Sequence, residues 1–175
     1  TALTIDLAAG TATDEYGGTD TLTSIENVIL GTGDDQVTDS ADDNSIKDTG
    51  GDDTYFWSGS GSDTIDEQSG DDLLSLQNIS SSITITIERT ATGNILLTAD
   101  GTETLELIAG DSSIETLKAQ DGTTYGLVDA SNGGSGNDIV IASYTGDELY
   151  GNAGADTMLG SAGNDTCLLY TSRRG

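Results

Sequence analysis

A nine-residue period in two runs, hairpin signals between them, and a glycine-rich, proline-free composition together predict an all-β chain. The expected architecture is two parallel β-roll arrays flanking a small antiparallel β-hairpin module. The period is clearest from Leu30 to Ser75, where the unit reads x-G-x-G-x-D-x-U-x and U is a large apolar residue. Five copies place Asp35, Asn44, Asp53, Asp63 and Asp72 at the sixth position and Val37, Ile46, Tyr55, Ile65 and Leu74 at the eighth. Trp57 is a single extra residue that interrupts the count once. The same period returns at Gly133, with sixth positions Asp138, Asp147, Asp156 and Asp165 and eighth positions Val140, Leu149 and Met158.

Composition limits what such a chain can do. Its 31 Asp and Glu stand against 5 Lys and Arg, giving a formal charge of -26, so it repels nucleic acid and repels itself. Acidic chains of this kind are often disordered, but disorder gives no reason to place an apolar residue two after each acid. No stretch approaches a membrane span and none resembles a cleavable signal peptide. The chain has no histidine, so neither an HExxH zinc site nor a Ser-His-Asp triad can be assembled from it, and no GxSxG occurs. It is read as non-catalytic.

Residues 1–29 read as a β lead-in or cap: Leu3 to Leu7 alternate as in a half-buried strand, and Thr21 to Leu30 form a strand entering the array. A cap covers the core and strand edge that a stack leaves open at its end. Residues 30–75 form the first array. Residues 76–130 lose the period and read as about five antiparallel strands, with Asp100-Gly101 and Asp121-Gly122 as hairpin turns that need positive φ. Phe56, Trp57, Leu73, Ile139 and Ile141 fall where polar residues are expected, which predicts that this module docks on the outer faces of the arrays through them. Residues 131–166 form the second array, shorter than the first. The last stretch, 167–175, contains Cys167 to Ser172, which resembles a translated sequencing adapter; it is expected to be non-native, and the chain, which begins at Thr1, to be a fragment.

Six turn residues followed by three alternating ones give turn, strand, turn, strand, so two units close one coil and units n and n+2 stack about 4.8 Å apart. Gly31, Gly33, Gly59, Gly61, Gly133, Gly136, Gly151 and Gly154 sit in turns that demand glycine. Stacked pairs follow: Asp35 with Asp53, Asp53 with Asp72, Asp138 with Asp156, and Asp147 with Asp165. At that spacing two carboxylates repel by about 3.5 kcal/mol at an effective dielectric of ~20. A cation reverses the sign, and turn carbonyls can complete an oxygen shell suited to Ca²⁺ rather than to the tighter octahedron of Mg²⁺.

This nonapeptide resembles the RTX, or haemolysin-type, calcium-binding repeats of bacterial secreted proteins. The lead-in ahead of the first array and the DGTTY stretch at Asp121 to Tyr125 resemble that family as well. The resemblance implies Ca²⁺ as ligand, the sixth-position residues as its carboxylate or amide donors, and export through type I secretion machinery before folding outside the cell. It also implies upstream domains in a parent protein. Two other parents fit: a large surface adhesin whose stalk calcium stiffens, and a secreted hydrolase of which this is the non-catalytic C-terminal part.

Overall fold

In the computed structural model, residues 2–108, 114–128, 132–142, 146–161 and 163–168 are described, and they form eighteen strands and no helix. The lead-in folds as β1 (Thr4–Asp6), β2 (Thr11–Thr13) and β3 (Thr19–Thr21), an antiparallel meander. A separate strand, β4 (Asn27–Ile29), enters the array. The long strand expected from Thr21 to Leu30 is thus broken, with Ser24 at φ 52 in the bend.

The first array alternates between two walls. Strands β5 (Gln36–Thr38), β7 (Thr54–Phe56) and β9 (Leu73–Ser75) build one, and β4, β6 (Ser45–Lys47) and β8 (Ser62–Asp66) the other. All these pairings are parallel, with Val37 beside Tyr55, Tyr55 beside Leu74, and Ile46 beside Ile65. Two units therefore make one coil. The eighth-position side chains all point inward and are buried, because a three-residue strand presents its middle residue to one face only.

The middle module does not dock on the outside of the first roll as the sequence predicts, although it does cover the outward-facing Ile139 and Ile141 of the second array, which join its core. It continues both walls edge to edge. Strands β10 (Ile85–Arg89), β11 (Ile95–Ala99) and β12 (Glu103–Leu107) form a meander whose last strand pairs in parallel with β8. Strands β13 (Thr116–Lys118) and β14 (Thr124–Val128) form a hairpin whose first strand pairs in parallel with β9. Asp100 and Gly101 both take positive φ, as a two-residue turn of the primed type requires, whereas in the second hairpin only Gly122 does. Trp57 lies inside the roll at 2% exposure, while Phe56 and Leu73 stay half-buried.

The second array reuses the first wall from its other side. Its strands are β15 (Asp138–Ile141), β16 (Glu148–Tyr150), β17 (Thr157–Leu159) and β18 (Thr166–Leu168). β15 pairs with β14 and β17, completing a ten-stranded sheet, and β16 pairs with β18 as the facing wall. Register carries Leu74, Leu117, Tyr125, Leu127 and Ile139 along one face of the long sheet. Val140 and Met158 occupy the opposite face and close a separate small core with Leu149 and Ala142. Every residue of β15 is consequently buried. Arg89 locks the arrangement by donating to the carbonyls of Ala142 (2.8 Å) and Ile141 (3.4 Å). Cys167 stands beside Leu149 in register but is exposed; residues 169–175 lie outside the described residues.

Candidate metal centre

Stacked turns run along both edges of the first roll. On one edge, residues 30–35, 48–53 and 67–72 superpose, and each sixth-position acid accepts from the backbone of the turn before it. Leu3 N donates to Asp35 Oδ1 (2.6 Å), Asp35 N to Asp53 Oδ1 (2.5 Å) and Asp53 N to Asp72 Oδ1 (2.8 Å). Asp72 N donates to Glu115 Oε2 (2.8 Å), so Glu115, immediately before β13, takes the sixth position of the next coil. The fifth-position acids run a second ladder the other way, Asp52 N donating to Asp34 and Asp71 N to Asp52.

Each inner acid keeps one oxygen in reserve. Asp35, Asp53 and Asp72 are 1%, 1% and 0% exposed, and the Oδ2 of each has no hydrogen-bond partner. An orphaned buried acceptor costs about 1–3 kcal/mol, and more when charged. Burial accordingly pushes the Asp53 and Asp72 carboxyls up to about 7 and raises Asp35, with neighbouring acids adding to each rise against the backbone hydrogen bonds. Turn carbonyls close in beside them. A Cβ at Gly70 would collide with Gly51 O and sit 2.9 Å from Asp72 Oδ1, and one at Gly51 would collide with Gly33 O. Both glycines take positive φ. Orphaned carboxylate oxygens beside carbonyls form a hard, all-oxygen donor set, which fits Ca²⁺ and offers zinc neither imidazole nor thiolate.

The opposite edge is different. Asn44 N donates to Asp63 Oδ1 (2.8 Å), but Asp63 Oδ2 is taken by the indole Nε1 of Trp57 (2.8 Å). Asn44 Oδ1 accepts from Ser40 N (2.7 Å). Asp39 at 3% exposure accepts from Ser58 N and Oγ, and burial carries its carboxyl up to about 7. Asp63 rises to about 6, again chiefly by burial. Of the turn glycines, a Cβ at Gly61 would lie 2.6 Å from Asp42 O, one at Gly59 would press on Ile79, and Gly31 on the first edge has open space where a Cβ would go.

The second array repeats the ladder. Asp138 N donates to Asp156 Oδ1 (3.1 Å) and Asp147 N to Asp165 Oδ1 (3.0 Å). A Cβ at Gly154 would collide with Gly136 O and lie 3.0 Å from Asp156 Oδ1; at Gly133 it would lie 3.0 Å from Asp138 Oδ2, and at Gly151 2.5 Å from Asp156 Oδ2. Gly136 itself has open space. Asp165 is more open than the first-array acids, and hydrogen bonds from Asp147 N and Ser161 N hold it below the ordinary carboxylate range.

The family profile described as RTX calcium-binding nonapeptide repeat (4 copies) matches residues 29–65 and 132–167, the second array and all of the first but its last unit. These two stretches are RTX repeats. RTX repeats bind Ca²⁺, and calcium is the ion that these repeats take. No curated protein matches the sequence.

Sequence reasoning about the RTX units missed four acids, one of them Asp39, buried at the first position of the Asn44 unit. Glu115 lies outside the period, and only its place one residue before a strand, like Asp72, could have flagged it. Asp48 and Glu67 stand at the first position of their units, where the consensus allows anything, yet both are buried, at 0% and 2% exposure. One carboxylate oxygen each from Asp48, Asp53 and Glu67 lie within 4.8 Å of one another.

Proposed function

We propose that this chain is the calcium-dependent folding region of a larger secreted bacterial protein, whose carboxylate ligands are Asp35, Asp53 and Asp72 in the first roll and Asp138, Asp147, Asp156 and Asp165 in the second. The observation that carries this reading is the column of three buried carboxylates, each with an orphaned oxygen, in closely stacked glycine-containing turns. Such a column is unfavourable as an isolated anion stack. Binding a divalent cation there turns metal affinity into folding free energy.

A chain that stays open where calcium is scarce and closes where it is plentiful suits passage through a secretion channel followed by folding outside. No helix among the described residues is long and apolar enough to cross a membrane. Without histidine, the chain's own acids are explained by calcium and hydrogen bonding rather than by catalysis. Any activity therefore belongs to other parts of the parent protein.

Far-UV circular dichroism tests the reading. In chelator the chain is expected to keep only a loose fold with a weakened strand signal, and the full signal develops on titration to about 10 mM calcium, above the 10⁻⁴–10⁻³ M range of extracellular modules. Identical spectra in chelator and calcium would reject it.

A further inference from the structure

The turn sites lie between stacked loops, but Asp48 and Glu67 leave the turns and point into the roll, under the same edge. We propose that Asp48, Asp53 and Glu67 form an additional internal Ca²⁺ site, sharing the Asp53 carboxylate with the turn column, roofed by the turns and floored by the phenol of Tyr55. The proposal rests on the reading that this edge binds calcium at its sixth-position acids, and it adds a site that the repeat consensus does not encode.

The three carboxylates offer oxygens within 4.8 Å of one another, and none is more than 2% exposed. Their other contacts are fixed. Asp48 Oδ2 accepts from Gly50 N and Asp53 Oδ1 from Asp35 N, each at 2.5 Å. Glu67 Oε1 accepts from Gln68 N (2.8 Å) and Ser69 N (3.1 Å), and Oε2 accepts from Tyr55 Oη. After these bonds, Asp48 Oδ1 and Asp53 Oδ2 remain without any partner, fully enclosed.

No amide or hydroxyl donor among the described residues reaches those two oxygens, although every other oxygen of the cluster has one. Three formal negative charges thus meet in an enclosed space whose donors all act from outside it. A divalent cation neutralises two of them and gives each orphan a partner. Oxygen-only donors select a hard ion, and the enclosure leaves little room for the waters that Mg²⁺ retains, which favours Ca²⁺. Sodium would leave two charges uncompensated.

The alternative holder of Asp48 and Asp53 is a shared proton, and the two can be separated on the whole chain. Calcium bound per chain is counted by equilibrium dialysis at pH 8 for wild type and for Asp48→Asn, which keeps the side-chain oxygen that Gly50 N uses. The expected result is a count lower by one in the variant, with strand signal still induced by calcium. An unchanged count in a folded variant overturns the proposal and assigns the contact to a proton. If wild type itself binds no calcium, the turn-site reading has failed first. Should Asp48→Asn not fold, Tb³⁺ decides: placed in this site it is excited through Tyr55, so Tyr55→Phe should remove most tyrosine-excited emission. Full emission in Tyr55→Phe overturns the proposal.

Discussion

Trp57 donates its indole N–H to Asp63 Oδ2 at 2.8 Å within the interior of the first roll. The one residue inserted into the period thereby occupies the oxygen that Asp35, Asp53 and Asp72 leave free. The two edges of the roll are chemically distinct for this reason: one presents orphaned carboxylates, and on the other both oxygens of the Asp63 carboxylate are already satisfied by the protein.

Trp57→Phe keeps an aromatic ring in the core but removes the donor together with part of the buried ring volume. It should orphan Asp63 Oδ2 and destabilise the calcium-free chain by about 1–3 kcal/mol, while calcium restores part of the loss by serving that oxygen instead. Urea midpoints with and without calcium measure both. A loss of equal size in the two conditions would mean that this edge takes no ion even when its oxygen is free.

Asp53 accepts from the turn before it and donates to the acid of the turn after it, so it serves two interfaces. Asn44 shares one interface, with Asp63, and carries no charge. Asp53→Ala should raise the calcium midpoint of folding on the order of tenfold, which corresponds to about 1.4 kcal/mol. Asn44→Ala should shift it far less. Equal shifts would contradict the unequal edges.

The buried acids set a pH dependence with a definite sign. Asp39, Asp53 and Asp72 titrate near 7 in the fold against an ordinary 3.8, so folding takes up protons between those values. Their contribution to the calcium-free roll is most favourable below about pH 3.8 and is lost as pH rises toward about 7. In chelator the chain should resist urea better at pH 5 than at pH 8, and at pH 5 protons should compete with calcium and raise its midpoint. Identical urea midpoints at the two pH values in chelator would contradict the buried, orphaned state of these carboxyls.

Gly51 has positive φ and the Gly33 carbonyl where a Cβ would go, whereas Gly31 has open space. Gly51→Ala should cost at least the roughly 1–3 kcal/mol of a strained backbone, and Gly31→Ala much less. Thermal unfolding in saturating calcium compares them directly.

The parts of the fold that a period can encode were legible. Sixth and eighth positions, the two-unit coil and the hairpin turn at Asp100-Gly101 all follow from spacing and turn chemistry. What could not be read is what depends on parity across segments without a period. Whether Ile139 or Val140 faces the first core is decided by how many residues the chain spends between β9 and β15, and no local pattern records that. Trp57 was assigned outward because an inserted residue has no position in the repeat. Only the completed coil shows that it follows Tyr55 by two and so shares its inward face. The position-one acids Asp48 and Glu67 escaped for a related reason, since a variable position in the consensus gives no signal of burial.

Because β15 is covered on both sides, the two arrays are not beads on a string but rooms with a party wall. Ile139 and Ile141 belong to the core of the first array's side of the sheet, and Val140 to the core on the other. A chain ending before β15 would leave Leu127 and the inner face of β10 as a bare apolar ledge, inviting a second copy to supply what is missing. Cation loading of the later repeats should accordingly be felt in the earlier ones as cooperativity.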